Sequence, residues 1–358
     1  MKPARWLLLA VILTACSGAA TPPGPPPTPG RIDPAPSPVP LPTDAPKPSP
    51  TPAPVLRQLT TGGCCAQPFW STDGSQIQFI DKPGDDAPSG IWGVSVEGGA
   101  PQFVTDQMGL RSPDGTLIAY PEDGRAYVQR LSDSQRWAAP SGGRAISFSP
   151  DSRLLTWQLT AVDGTNDRRV VEVWVANVDG SEPRRLARLV GGSFSGWLPD
   201  GERLLVSGRE RDSDELFLGT YRLSDGEVTV IARAPRLRGG TISPEGGWVL
   251  YQVTFSGDPA RDGMWVARTD GGEARRLEVF GAYRWRTEDE LLVIPLEPDQ
   301  PHRLLAVDAA TGETRALTDP SLTPLRVAGG DWAPSPDGRR VAFVSADDHN
   351  LWVLELPE

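Results

Sequence analysis

A short turn string returns seven times along this chain, and its spacing leaves few folds open. The copies are Ser71-Thr72-Asp73-Gly74, Ser112-Pro113-Asp114-Gly115, Ser149-Pro150-Asp151-Ser152, Leu198-Pro199-Asp200-Gly201, Ser243-Pro244-Glu245-Gly246, Arg286-Thr287-Glu288-Asp289 and Ser335-Pro336-Asp337-Gly338. Their acidic positions lie 41, 37, 49, 45, 43 and 49 residues apart. Proline presets φ at the first central turn position, and Asp-Gly closes tight hairpins. An apolar run follows each copy, as in Ile77-Gln78-Phe79-Ile80, Leu154-Leu155-Thr156-Trp157 and Val341-Ala342-Phe343-Val344. A period of roughly 40–50 residues with strands inside each unit predicts a propeller, one four-stranded blade per unit. The sixth copy lacks both Pro and Gly, but its spacing and its Leu291-Leu292-Val293-Ile294 run hold.

The remainder of each unit fits the same plan. A third strand reads Ile91-Trp92-Gly93-Val94 or Val173-Trp174-Val175-Ala176, a glycine turn such as Asp270-Gly271-Gly272 follows, and a short fourth strand such as Thr314-Arg315-Ala316-Leu317 ends the unit. No segment past the N-terminus holds a helical period. The expected fold is therefore all-β: a seven-bladed β-propeller of four-stranded antiparallel blades. The chain closes on Leu351–Glu358, which reads as a third strand with no fourth. Residues 55–61 resemble the fourth strands elsewhere and are expected to complete the last blade, removing two exposed sheet edges.

This unit resembles the TolB-like, WD-repeat-like β-propeller repeat, and the resemblance covers residues 56–358. The same repeat builds the propellers of prolyl oligopeptidases and dipeptidyl peptidases, but no Gly-x-Ser-x-Gly elbow occurs here, so no hydrolase domain is expected. The resemblance implies scaffold roles for the turn acids Asp73, Asp114, Asp151, Asp200 and Asp337. It is specific for fold and says little about function.

The N-terminus supplies an address. Residues 1–15 have a basic start (Lys2, Arg5) and an apolar run from Trp6 to Leu13, the pattern of a signal peptide. Leu13-Thr14-Ala15-Cys16 looks like a bacterial lipobox, which implies a lipid on Cys16 and attachment to a membrane. Residues 16–54 contain sixteen prolines among small and polar residues, a composition that favours an extended, disordered tether. Fully extended, it would reach roughly 120 Å. Residues 55–358 are then the propeller.

Charge and chemistry narrow the functions. The chain has 35 Lys plus Arg against 46 Asp plus Glu, a net charge of −11, which disfavours nucleic acid as a partner. Its two histidines, His302 and His349, sit in polar loops. No C-x-x-C or H-E-x-x-H spacing marks a metal, and no cofactor is expected. Asp163-Gly164-Thr165-Asn166-Asp167 only superficially resembles a calcium loop and is expected to be a solvated turn. The adjacent Cys64-Cys65 pair, in an exported protein, forms either a vicinal disulfide or two buried thiols. The expected function is that of a non-catalytic, monomeric binding or scaffold lipoprotein of the cell envelope, recognising a protein, peptide or glycan. An extracytoplasmic metal-dependent, lactonase-like hydrolase is the alternative.

Antiparallel pairing also divides the disc into two faces. The short Asp-Gly turns join strands one–two and three–four on one side. The long, variable connections lie on the other, where recognition is expected. Candidate contacts there are Arg168, Arg169, Arg209, Arg211, Arg261, His302 and His349.

Overall fold

The computed structural model describes residues 54–357, apart from residues 162–168, 211–212 and 298–299. The expected signal peptide, Cys16 and nearly all of the expected tether lie outside the described residues, as do Arg168, Arg211 and residues 163–167.

Every regular element among the described residues is a strand. β1 (Val55–Gln58) precedes the first blade, which is built from β2 (Ala66–Trp70), β3 (Gln76–Asp81), β4 (Gly90–Ser95) and β5 (Gln102–Thr105). The second blade holds β6 (Leu110–Arg111), β7 (Leu117–Glu122), β8 (Arg125–Arg130) and β9 (Arg136–Ala139). A seven-stranded sheet follows: β10 (Ile146–Phe148), β11 (Leu154–Ala161), β12 (Val170–Asn177), β13 (Arg184–Trp197), β14 (Arg203–Arg209), β15 (Leu216–Arg222) and β16 (Val228–Ala234). The next blade contains β17 (Leu237–Ile242), β18 (Trp248–Val253), β19 (Gly263–Arg268) and β20 (Ala274–Leu277). Another contains β21 (Gly281–Trp285), β22 (Glu290–Pro295), β23 (Leu305–Asp308) and β24 (Thr314–Ala316). The last joins β25 (Val327–Pro334), β26 (Arg340–Ser345), β27 (Leu351–Glu355) and, as its fourth strand, β1.

The expectation of seven separate four-stranded blades is therefore corrected. Five blades have four strands, and the repeat units of Ser149 and Leu198 share one seven-stranded sheet. The cause is β13, a single 14-residue strand. Its first half pairs with β12 and its second half with β14, with a register shift between Val190 and Ser193. Gly191-Gly192 occupies that crossover. A Cβ at Gly192 would lie 1.8 Å from the Ser207 carbonyl oxygen, so only glycine lets the strand pass this close.

The two ends of the ring meet through β1. Val55 pairs with Glu355 and Gln58 with Trp352. Beyond β1, Leu59 N–H donates to the Leu351 carbonyl at 2.8 Å, and Leu351 N–H donates to Thr60 Oγ1 at 2.9 Å. Apolar side chains fill the gaps between adjacent sheets. Ile77, Phe79 and Val94 of the first blade pack against Ala342, Leu351 and Val353 of the last, so one buried cluster spans the closure. Tryptophans serve the same packing. Trp70 Nε1 donates to the Ala333 carbonyl at 2.9 Å and Trp285 Nε1 to the Thr241 carbonyl at 3.1 Å, each tying the first strand of one blade to that of the blade before it around the ring.

Candidate functional site on the loop face

The turn face repeats one hydrogen-bond pattern. Ser71 Oγ donates to Asp73 at 2.6 Å and accepts from Gln76 N–H at 3.0 Å. Ser112 with Asp114, Ser149 with Asp151 and Ser335 with Asp337 repeat the donation at 2.5–2.6 Å. The Ser71 hydroxyl, followed by the Ser75 backbone and hydroxyl, holds the Asp73 carboxyl down at about 2. The partner serines likewise depress Asp114, Asp151 and Asp337. Asp200, whose unit starts with leucine, instead accepts from Glu202 and Arg203 N–H.

The degenerate sixth copy has a different use. Glu288 accepts from Ser243 Oγ at 3.0 Å, Glu245 N–H at 2.7 Å and Gly247 N–H at 2.8 Å. It closes the turn of the preceding blade, where an Asp two residues after the serine would do so elsewhere. Glu245, one methylene longer than Asp, occupies that position here.

The loop face holds the candidate contacts, spread around the disc. Arg169 is exposed at the start of β12, and Arg209 is half-buried at the end of β14 with no partner for its Nε among the described residues. Arg261 is tied down, donating to the Arg233 carbonyl at 3.0 Å and facing Glu215 at 3.4 Å. His349 is exposed, and its carbonyl accepts Cys64 N–H at 2.8 Å. The sulfurs of Cys64 and Cys65 are joined as a vicinal disulfide beside it. His302 is half-buried, and its Nδ1 accepts Val327 N–H at 3.0 Å. Burial, aided by nearby Arg326, pushes the His302 pKa down. The described members of this set thus form no single cluster. Neighbouring connections are instead braced by ion pairs, Arg233 of β16 with Glu210 and Arg326 with Asp347.

What distinguishes this face is apolar. Among the described residues, five large apolar side chains that lie outside strands are exposed: Met108, Phe255, Phe280, Leu296 and Leu322. All five belong to loop-face connections, and none to an Asp-Gly turn. Their signal in the sequence was an isolated large apolar residue within a polar loop, as in Thr254-Phe255-Ser256. Near the disc centre, a cleft of about 430 Å³ spans three blades, lined by Gln67, Phe69, Arg284, Asp331 and Trp332 among others. The Arg284 guanidinium lies over the Trp332 ring, 5.1 Å from its centroid. Among the described residues, no group of three or more His, Cys, Asp or Glu side chains is placed to hold a metal ion. No described helix is long and apolar enough to cross a membrane.

Known proteins share this architecture. No family model matches the chain. The Tol-Pal system protein TolB of Francisella tularensis subsp. tularensis (strain WY96-3418) is 25% identical over 215 residues, 56% of this chain and 47% of that protein. TolB of Anaeromyxobacter dehalogenans (strain 2CP-C) is 35% identical over 81 residues, 23% of this chain and 18% of that protein. The chain thus spans about half the length, or less, of the curated relatives it matches. Among solved structures, an oligogalacturonate lyase in complex with manganese superposes with a TM-score of 0.56 at 14% identity, covering 85% of this chain and 91% of that one. The oligogalacturonate lyase of Vibrio parahaemolyticus gives 0.57 at 12% identity, covering 86% and 98%. At such identities the likeness shows the fold alone. The repeat, the sheets and these relatives together define a TolB-like β-propeller.

Proposed function

We propose that this protein is a non-catalytic binding or scaffold protein of the bacterial cell envelope, held to a membrane by lipid on Cys16. A protein, peptide or glycan partner meets its loop face. The observation that carries this reading is the confinement of exposed, non-strand apolar side chains to that face. Variable connections on a rigid scaffold commonly carry recognition, and apolar side chains exposed there give a partner surface to bury. The named role of the curated relatives, in the Tol-Pal system, supports a place in an envelope assembly.

Residue 55 pairs with Glu355 at the turn side of the last blade, and Arg57 there faces Glu355 at 3.4 Å. Export also maintains the Cys64–Cys65 bond, and intact mass should fall by about 2 Da relative to the reduced protein.

Crosslinked pull-down from membranes with the intact protein tests this function. Asp substitution at Phe255, Leu296 and Leu322 should abolish capture of the partner, and charge reversals in the Asp-Gly turns should not. Capture lost only by the turn changes would overturn the assignment. Separately, Cys16→Ser should move the protein to the soluble fraction, and its retention in membranes would rule out the lipid as anchor.

A further inference from the structure

Beside His302, between the blade of β21–β24 and the last blade, the loop face opens into an apolar cavity of about 240 Å³. Phe280, Ile294, Pro295, Leu296, Val327 and Trp332 form most of its wall. It is smaller than the roughly 300–1,000 Å³ typical of drug-sized ligand sites, so it admits one ring and not a sugar chain. Its walls would leave sugar hydroxyls without partners, a costly burial. Phe280 is 49% exposed and Leu296 68% exposed, so the lip is uncovered.

One polar group is aimed by the fold. His302 Nδ1 is occupied by Val327 N–H, so the neutral ring carries its proton on Nε2 and offers a donor. His302 also borders a second, more polar cleft of about 550 Å³ with Glu297, Gln300 and Arg326. The ring therefore stands where an apolar compartment meets a polar one. Phe280 and Trp332 favour an aromatic occupant, because aromatic pairs gain beyond the area they bury.

We propose that this cavity binds a single aromatic ring bearing a carboxylate or carbonyl acceptor that hydrogen-bonds to His302. The ligand class deepens the loop-face reading and rests on it only for the ligand's origin. That chemistry occurs both in free aromatic acids and in the C-terminal aromatic residue of a peptide.

Histidine proton NMR on the full chain tests it, because the chain has only two histidines. Phenylacetate should shift one imidazole signal, the one missing in His302→Gln. Acetate, which has no ring, should leave it unmoved. Leu296→Asp, at an exposed position, should weaken phenylacetate binding roughly fivefold or more. Ala282→Phe, which fills the cavity, should abolish it. A tripeptide Ala-Ala-Phe binding more tightly than phenylacetate would identify a peptide source, and the reverse a free acid. The proposal is overturned if neither probe shifts the His302 signal up to about 10 mM, a generous limit for a specific fragment site. It is equally overturned if acetate shifts that signal as strongly as phenylacetate. Because these probes are small, such a failure leaves partner capture by the other loops to be judged on its own.

Discussion

On the turn face, Ser71, Ser112, Ser149 and Ser335 each donate to an Asp two residues on, and each accepts from the backbone three residues further. On the loop face, Phe255, Phe280, Leu296 and Leu322 project toward solvent, and no two connections are alike. Both faces are made by the same repeats. Their difference teaches what repetition is for: turns that satisfy themselves recur because every blade needs one, whereas loops free of that duty can diverge toward a ligand.

The sharpest way to break this comparison is to open the ring. Deleting residues 54–58 removes β1, exposes the edge of β27 and strips Leu56 from the last core cluster. Melting should fall by roughly 10 °C. An unchanged melting temperature would mean that β1 does not close the disc.

Next in size is Glu288→Ala, which removes an acceptor from Ser243 Oγ and the side-chain acceptor of two backbone N–H groups at once. Urea unfolding should show a loss of about 2–3 kcal/mol. Glu245→Ala should stay within about 0.5 kcal/mol, although Glu245 holds the acidic position of its own motif. Equal effects would show that the turn acids are interchangeable. Ser335→Ala should cost about 1–2 kcal/mol by unpairing Arg340 N–H and removing one donor to Asp337.

Acid should separate the two faces. Asp73 has a folded pKa of about 2 against an ordinary 3.8, and Asp114, Asp151 and Asp337 are also lowered. A depressed carboxyl contributes stability that is present above the unfolded value and lost as pH falls through the folded one. The turn face should thus weaken between pH about 4 and 2, and Asp73→Asn should flatten that slope in urea midpoints. His302 is also depressed below 6.5, so its contribution should fade first, as pH drops below that value. His302→Gln should remove this earlier step only. The smallest effects belong to the loop face itself: Phe255→Ser or Leu322→Ser should change stability by no more than about 0.5 kcal/mol.

Much of this architecture was legible in the sequence because hairpin turns write themselves locally. Asp-Gly and its serine lie within a few residues, so the strand order could be read from spacing, and of residues 55–61, expected to complete the last blade, Val55–Gln58 form that strand. The fused sheet was not legible. β13 runs through Gly191-Gly192, and glycine pairs usually signal a break; here they permit a close crossing that only the fold reveals. Glu288 was read as the acid of its own turn because its partners lie 41–45 residues away in another blade. On the loop face, charge drew attention to arginines such as Arg261, which the structure ties to Glu215 and the Arg233 carbonyl. Cavities formed between blades, such as that beside His302, depend on contacts among distant residues that no local pattern records.

Site-specific photocrosslinking tests the central claim most directly. A photoreactive residue is placed at Leu296 or Leu322 on the loop face, and at Glu97 or Asp225 on the turn face, in the intact protein on its native membrane. The loop-face positions should yield a discrete crosslinked product, and the turn-face positions none. A product formed only from Glu97 or Asp225 would contradict the account and make the repeated turns the working surface.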